Sequence, residues 1–211
     1  MKLKAREKCP FCENNNFNEL YDISYNNKKL KEFLSSYYKN DGLIEILRSE
    51  TYQLNECKHC FGIFQKNIPD ETLNQFIYDE LISREESFNK KISYKSDHFI
   101  KYYRDAKLIE KLLNKKNQQI KILEFGCGWG FWAKFMKMMN FSVETCEISS
   151  SRIEYLTKNN ILNHRNLDLI KNKYDIIFSD QVMEHVSEPY TIIKKLSHLL
   201  NDGGCMIHRF P

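Results

Sequence analysis

The chain has 211 residues, of which 28% are charged and 42% hydrophobic; this balance is typical of one globular α/β domain with a small appendage. Its net charge of +4 is mild, so we do not expect the concentrated basic face of a strong nucleic-acid binder. There is no run of about 18 apolar residues, the length of a membrane span. The charged residues 1–8 also lack the apolar core of a signal peptide. We therefore expect a cytoplasmic protein without a membrane segment.

Four of the cysteines form two Cys-x-x-Cys pairs, Cys9 with Cys12 and Cys57 with Cys60. In a cytosolic chain such pairs indicate metal ligands before disulfides. Four thiolates complete the tetrahedral shell of a structural zinc ion and leave no position open. A redox pair or free thiols are the alternatives, and His59, inside the second pair, could replace a ligand.

The 44 residues between the pairs exceed the usual zinc-ribbon spacing of about 15–20 residues. A helical insertion over residues 30–47 would fill this gap. Residues 51–56 and 61–65, on either side of the second pair, look like the two strands of a ribbon hairpin. We therefore assign residues 1–70 to a zinc-binding module.

Residues 71–116 are predicted to form a helical linker or lid. Asp70 follows a proline and can cap a helix over residues 72–81. The polar residues 83–97 suggest a mobile linker, and apolar residues at helical spacing predict a helix over residues 99–116.

A glycine-rich turn connects a predicted buried strand, residues 121–125, to a predicted helix, residues 131–139. Its glycines stand at every second position: Gly126, Gly128 and Gly130. Such a turn exposes backbone N–H groups at the helix start, where a ligand can lie against bare backbone. Glu124, near the carboxyl end of this strand, puts an acid beside the turn. Because a carboxylate repels a phosphate, this acid favours a ligand with a cationic or hydroxyl-rich edge. The turn lacks both the P-loop lysine and the dinucleotide-binding glycine spacing.

A second predicted strand, residues 141–147, ends in Glu147, 17 residues after Gly130. An acid at this position in doubly wound nucleotide-binding folds accepts hydrogen bonds from both ribose hydroxyls. The alternative is a helix-capping or exposed acid. A third predicted strand, residues 165–170, would bring Asn166 or Asp168 to an adenine.

The fourth predicted strand covers residues 175–178. Ser179, Asp180 and Gln181 follow at its carboxyl end, where ligands bind in this architecture. A helix over residues 192–200 and a turn over residues 201–204 then lead into a fifth strand, residues 205–210.

The segment Glu124-Phe-Gly-Cys-Gly-Trp-Gly130 resembles the first motif of class I S-adenosylmethionine-dependent methyltransferases. Met183-Glu-His-Val186 and Asn201-Asp-Gly-Gly204 are similar to later motifs of that family, in the same order. The resemblance implies a Rossmann-like doubly wound sheet, although the sequence stops at Pro211, before the family's last strands. The open sheet edge would favour a homo-oligomer. The residues assigned to S-adenosylmethionine are Glu124, Gly126, Cys127, Gly128, Gly130, Glu147, Ile148, Asp168, Ser179 and Gln181.

The paired cysteines, together with Phe61-Gly-Ile-Phe64 and Phe76-Ile-Tyr-Asp79, look like the amino-terminal zinc module of a bacterial group of these enzymes. This resemblance implies methylation, at oxygen or carbon, of a small polar metabolite such as a nucleotide-linked sugar. His185 is the candidate base, since the pKa of histidine lies near neutrality; it could instead hold the substrate or cap the local helix. A catalytic metal is not expected. An RNA methyltransferase and a non-catalytic cofactor-binding subunit are the alternatives, and residues 117–211 are assigned to the cofactor-binding domain.

Overall fold

The computed structural model describes residues 1–38, 41–93 and 96–211. The chain divides into two compact units. One comprises Met1–Ser87 with Ser187–Tyr190, and the other comprises Phe88–Val186 with Thr191–Pro211. No helix in the described part of the chain is long and apolar enough to cross a membrane.

The first unit contains two small antiparallel sheets. The larger sheet has the order β2 (Phe17–Ser24), β3 (Thr51–Cys57) and β4 (Ile63–Gln65). The smaller sheet pairs β1 (Leu3–Ala5) with β5 (Asn67–Pro69). The predicted hairpin around the second cysteine pair is therefore confirmed.

The helices of the first unit fill the long spacing between the cysteine pairs and follow the second sheet. Helices α1 (Lys28–Tyr38) and α2 (Gly42–Leu47) confirm the helical insertion. Helix α3 (Glu71–Phe76) continues into a π-helical turn, Ile77–Leu81. Asp70 caps α3 as predicted, because its Oδ1 accepts a hydrogen bond of 2.8 Å from the Leu73 N–H.

A parallel five-stranded sheet forms the centre of the second unit. Its strands are β6 (Lys121–Phe125), β7 (Ser142–Cys146), β8 (Asn163–His164), β9 (Tyr174–Asp180) and β10 (Leu200–Arg209). They lie in the order β10, β9, β6, β7, β8, and the strand order reverses at β6. Ligands of such sheets bind at the carboxyl ends of the strands beside the reversal. The predicted α/β class with a doubly wound sheet is confirmed, whereas the homo-oligomer through an open edge stays a prediction.

The remaining helices are α4 (Arg84–Ile92), α5 (Ser96–Leu113), α6 (Phe131–Met138), α7 (Ser150–Lys158) and α8 (Pro189–His198). Side chains of α5 and α6 pack on one sheet face around Ile122 and Phe178, and Leu196 of α8 packs on the other face.

The mobility expected of residues 83–97 stays a prediction, but most of the described residues in this segment form helix α4. The acidic first turn and basic last turn of α4 complement the helix dipole, which explains a helix in so polar a segment. The third strand predicted over residues 165–170 is wrong: the strand is the short Asn163–His164, and residues 165–170 contain a 3-10 helix, Leu167–Leu169, capped by Asn166.

Candidate functional site

The glycine turn leaves β6 in a backbone conformation that favours glycine. Gly126, Gly128 and Gly130 have φ values of +70°, +59° and +68°. A Cβ added at Gly126 would lie 2.6 Å from Val182, whereas one added at Gly128 meets nothing within 4 Å. The backbone of Gly128 therefore lies against open space, as expected of a turn that receives a ligand.

Glu147, directly after β7, is hydrogen-bonded to this turn. Its Oε2 accepts a hydrogen bond of 2.9 Å from the Gly128 N–H. Its Oε1 accepts bonds of 2.9 Å each from the N–H groups of Ile148 and Ser149, just ahead of α7. The carboxylate is thus fixed between the turn and the start of α7. Its bonds to the two N–H groups ahead of α7 are of the kind that the helix-capping alternative expects. Ile148 is 76% exposed and presents an apolar surface beside Glu147.

Glu124 has a different environment from the one that the sequence suggests. Only 5% of the residue is exposed, and its Oε2 accepts a hydrogen bond of 3.1 Å from the Ala133 N–H in the first turn of α6. Burial raises the pKa of Glu124 to about 8, against the opposing effects of the Ala133 bond and of Lys91. The carboxyl is therefore mostly neutral at pH 7, and it holds the helix start without placing a full negative charge at the opening.

An aromatic cluster, missed at the level of sequence, surrounds Trp129 in the glycine turn. The ring of Phe88 on α4 lies 4.9 Å from that of Trp129 and 5.2 Å from that of Tyr155 on α7. Trp129 and Tyr155 are themselves 5.6 Å apart, and Phe131 stacks on Tyr155. Edge-to-face contacts of this kind are stabilising, so they favour this conformation of the turn. The aromatic residues Trp129 and Phe131 in and after the turn were visible in the sequence, but no local spacing indicates their contact with Phe88.

The two residues predicted to bind the cofactor at the carboxyl end of β9 have different environments. Ser179 is fully buried, and its Oγ lies 2.7 Å from Nδ1 of His208 on β10. Gln181 is exposed, has φ +55°, and donates its N–H to the Arg209 carbonyl at 2.8 Å. Their assignment to the cofactor stays a prediction.

Two further candidates lie on 3-10 turns. Asp168 is exposed and pairs with Lys195 of α8, 2.8 Å away, so its contact with an adenine stays a prediction. His185 ends the turn Met183–His185 and is exposed. The preceding Val182 lies against Gly126, which places the start of this turn beside the glycine loop.

The four paired cysteines come together in the first unit. Their sulfur atoms all lie within 4.8 Å of one another, with Cys9–Cys60 and Cys12–Cys57 separations of 3.6 Å each. A tetrahedral zinc shell with bonds of about 2.3 Å spaces its sulfurs about 3.8 Å apart, so the arrangement fits such an ion. His59 is exposed and lies outside this group.

The two cysteine turns have the same local geometry. In each, the residue after the second cysteine is left-handed, with φ +61° at Glu13 and +58° at Phe61. Its N–H donates to the carbonyl of the first cysteine at 2.9 Å in both cases. Backbone N–H groups of Cys60 and His59 lower the pKa of the Cys57 thiol, whereas burial raises the pKa of the Cys9 thiol.

A parallel sheet with a glycine turn after its first strand and an acid after its second is the arrangement typical of α/β domains that bind nucleoside-type ligands. The profile of the methyltransferase domain family matches residues 96–211, more than half of the chain. The chain therefore belongs to the methyltransferase domain family.

Individual relatives agree with this assignment. The chain is 29% identical over 102 residues to a ubiquinone biosynthesis O-methyltransferase of Pelagibacter ubique, covering 44% of this chain and 42% of that protein. It is 31% identical over 102 residues to a malonyl-[acyl-carrier protein] O-methyltransferase of Priestia megaterium, covering 43% and 36%. The chain thus spans about two fifths of the length of the curated relatives it matches.

Among solved structures, the plantazolicin methyltransferase BpumL in complex with SAH superposes with a TM-score of 0.53. The match has 16% identity and covers 64% of this chain and 55% of the other. At this identity the likeness shows the fold.

Proposed function

We propose that the protein is an S-adenosylmethionine-dependent methyltransferase that acts on an oxygen of a small polar metabolite. The observation that carries the proposal is the bond between Glu147 and the Gly128 N–H, next to backbone that faces open space. The family and the two curated O-methyltransferase relatives support a methyl transfer to oxygen.

Each residue of the site has a task that follows from its chemistry. Glu147 can accept hydrogen bonds from a ribose diol, and the exposed Ile148 can pack on an adenine. The Gly128 backbone allows close approach, and the aromatic cluster around Trp129 holds the turn. The cofactor would supply an activated methyl group on a sulfonium.

The protein then has to align the acceptor oxygen with the methyl carbon and exclude water. Glu147 and the backbone of Gly128 would hold the cofactor, which would supply the methyl group to the acceptor oxygen. The acceptor's hydroxyl proton has to leave, and the exposed His185 is the proposed base.

We further propose that the four-cysteine group holds a structural zinc ion, because four sulfurs at tetrahedral spacing leave no position for a substrate. For the methyl acceptor, we keep the nucleotide-linked sugar or a similar metabolite as the first class to test. RNA is the second class; the net charge of +4 gives it little support.

The test is a transfer assay with methyl-labelled S-adenosylmethionine against three panels: sugar nucleotides, phenols and total RNA. The proposal expects label in a small-molecule panel. A His185→Gln variant should lower the rate by about 10²–10⁴-fold while it still binds the cofactor. Label in RNA alone would reject the small-metabolite class in favour of RNA. Cofactor binding without transfer to any panel would favour a non-catalytic subunit.

A further inference from the structure

A basic stretch at the start of the first unit lines a cavity that the proposed cofactor site does not use. Every second residue from Lys2 to Lys8 is basic, and the sequence analysis assigned no binding role to these residues. The cavity has a volume of about 330 Å³, which is at the small end of the range for small-molecule sites. Three cations and two carboxylates make up its charged lining: Lys4, Arg6, Lys8, Glu7 and Glu188.

Backbone hydrogen bonds hold Arg6 in this lining. Lys4 pairs with Ile68 where β1 meets β5, and Ile68 also lines the cavity. The Arg6 N–H continues the pairing, because it donates to the Lys66 carbonyl at 2.9 Å. The Lys66 ammonium in turn donates to the Arg6 carbonyl. Since alternate residues of an extended strand share a face, Lys4 and Arg6 project from this held segment to the same side.

The Arg6 guanidinium is buried and only partly satisfied. Its side chain is 9% exposed, and Nη1 lies 3.0 Å from Oε1 of Glu188, whose own side chain is 60% exposed. Nε of Arg6 is buried, and no acceptor in residues 1–38, 41–93 or 96–211 bonds to it. A guanidinium has five N–H donors, and buried donors are normally hydrogen-bonded. Arg6 thus lies at a place where a further acceptor is missing, which sets it apart from a solvated surface cation.

The two lysines of the lining leave positive charge on either side of Arg6. Lys4 and Lys8 are exposed, and neither ammonium has a carboxylate partner in the described part of the chain. A ligand carboxylate would offer Arg6 no more charge than Glu188 already does. A diphosphate offers several negative charges and several acceptor oxygens, and arginine and lysine are the residues that bind phosphate groups. The two carboxylates of the lining disfavour a long polyanion such as RNA, which would extend across them.

We propose that this cavity binds the diphosphate group of a small molecule, with Arg6 as the central donor and Lys4 and Lys8 beside it. Glu188 holds the guanidinium in the absence of the ligand and competes with the diphosphate for it. A nucleotide-linked sugar, the first acceptor class to test above, carries such a group. The inference itself uses neither methyl transfer nor the glycine turn, so it stands or falls separately from the proposed function.

Calorimetric titration of the full chain tests the site with pyrophosphate, uridine 5′-diphosphate, uridine and a short single-stranded RNA. The variants are Arg6→Gln, the double variant Lys4→Gln/Lys8→Gln, and Glu188→Gln. The matched control is Lys2→Gln/Lys28→Gln, which removes the same charge as the double variant from exposed positions outside the cavity. Thermal unfolding of each variant checks that it is folded.

Removal of a charged hydrogen-bond donor predicts that Arg6→Gln weakens both diphosphate probes about 10- to 100-fold. Lys4→Gln/Lys8→Gln removes two exposed charges and should weaken them about three- to tenfold. Glu188→Gln should strengthen both about twofold or more, because the competing carboxylate is gone. Uridine should not bind, and the control should change either affinity less than twofold. If Arg6→Gln does not fold, the opposite effects of the lysine and Glu188 variants still decide the question.

Three results would overturn the site. They are a folded parent protein that binds neither diphosphate probe, a loss in the control equal to that of Lys4→Gln/Lys8→Gln, and a Glu188→Gln variant that binds more weakly than its parent. Binding of RNA without binding of either diphosphate would also overturn it and would assign this surface to nucleic acid. Each of these results leaves the proposed function standing, because that function is tested by titration with S-adenosylmethionine.

Discussion

The three glycines of the turn allow stability and ligand binding to be separated by single methyl groups. An alanine at Gly128 has to adopt φ +59°, which costs about 1–2 kcal/mol, but its Cβ meets nothing within 4 Å. At Gly126 the same strain is joined by a Cβ 2.6 Å from the stiff side chain of Val182. Overpacking of this kind adds about 1–3 kcal/mol. At Gly130 the Cβ would lie 2.4 Å from the fully buried Leu156, with a similar penalty.

We therefore expect Gly128→Ala to lower the free energy of unfolding by about 1–2 kcal/mol, and Gly126→Ala and Gly130→Ala by about 2–5 kcal/mol. Gly128→Ala should also weaken the binding of S-adenosylhomocysteine the most of the three variants, because its methyl group projects into the space assigned to the ligand. Urea unfolding and calorimetry measure the two effects. A Gly128→Ala protein that is folded and binds the ligand with unchanged affinity would refute the assignment of that space.

Three more predictions follow from single groups. The protein should contain one zinc ion per chain by elemental analysis; Cys12→Ser should lose it and Cys205→Ser, at an isolated cysteine, should retain it. The buried Glu124 has a pKa raised from 4.5 to about 8, so the folded state binds its proton more tightly and stability falls as pH rises through this window. In Glu124→Gln the slope of unfolding free energy against pH should be flatter by up to about 1.4 kcal/mol per pH unit, and an unchanged slope would contradict the burial. Asp105→Asn should lower the free energy of unfolding, measured in urea, by about 1–3 kcal/mol, because it removes the charge of Asp105 from its ion pair with Arg209. A loss below about 0.5 kcal/mol would show that this ion pair contributes little to stability.

The parts of the fold that could be predicted are those with a strong local pattern. The strand Lys121–Phe125 and the turn after it combine an apolar run with glycines at alternate positions, and the structure has them at the predicted bounds. The two cysteine pairs likewise predict that four sulfur atoms come together, since two turns with the same spacing can meet in space whatever lies between them. The structure has the four sulfur atoms within 4.8 Å of one another.

The parts that could not be predicted depend on contacts between distant positions. Helix α4 has no buried residues, and nothing in its polar sequence shows that Phe88 will contact Trp129. The ion group of Asp180, Arg209 and Asp105 joins residues up to 104 positions apart, which no local spacing reveals.

Glu124 shows a further limit of the sequence. An acid at a strand end beside glycines suggests a charged opening, but its actual ionisation depends on burial, which only the three-dimensional packing determines. The short third strand was missed for a similar reason: pairing with β7 ends at His164, and the apolar residues beyond it pack from a 3-10 turn.

The central claim is that the turn around Gly128 and the carboxylate of Glu147 bind S-adenosylmethionine. The most direct measurement is a calorimetric titration of the purified protein with S-adenosylmethionine and S-adenosylhomocysteine, alongside Glu147→Gln and the control Glu154→Gln on the exposed surface of α7. We expect micromolar binding by the parent protein and the control, and a loss of about tenfold or more in Glu147→Gln, where a charge-assisted acceptor is removed. A folded protein that binds neither ligand, or a Glu147→Gln variant that binds as tightly as its parent, would contradict the claim.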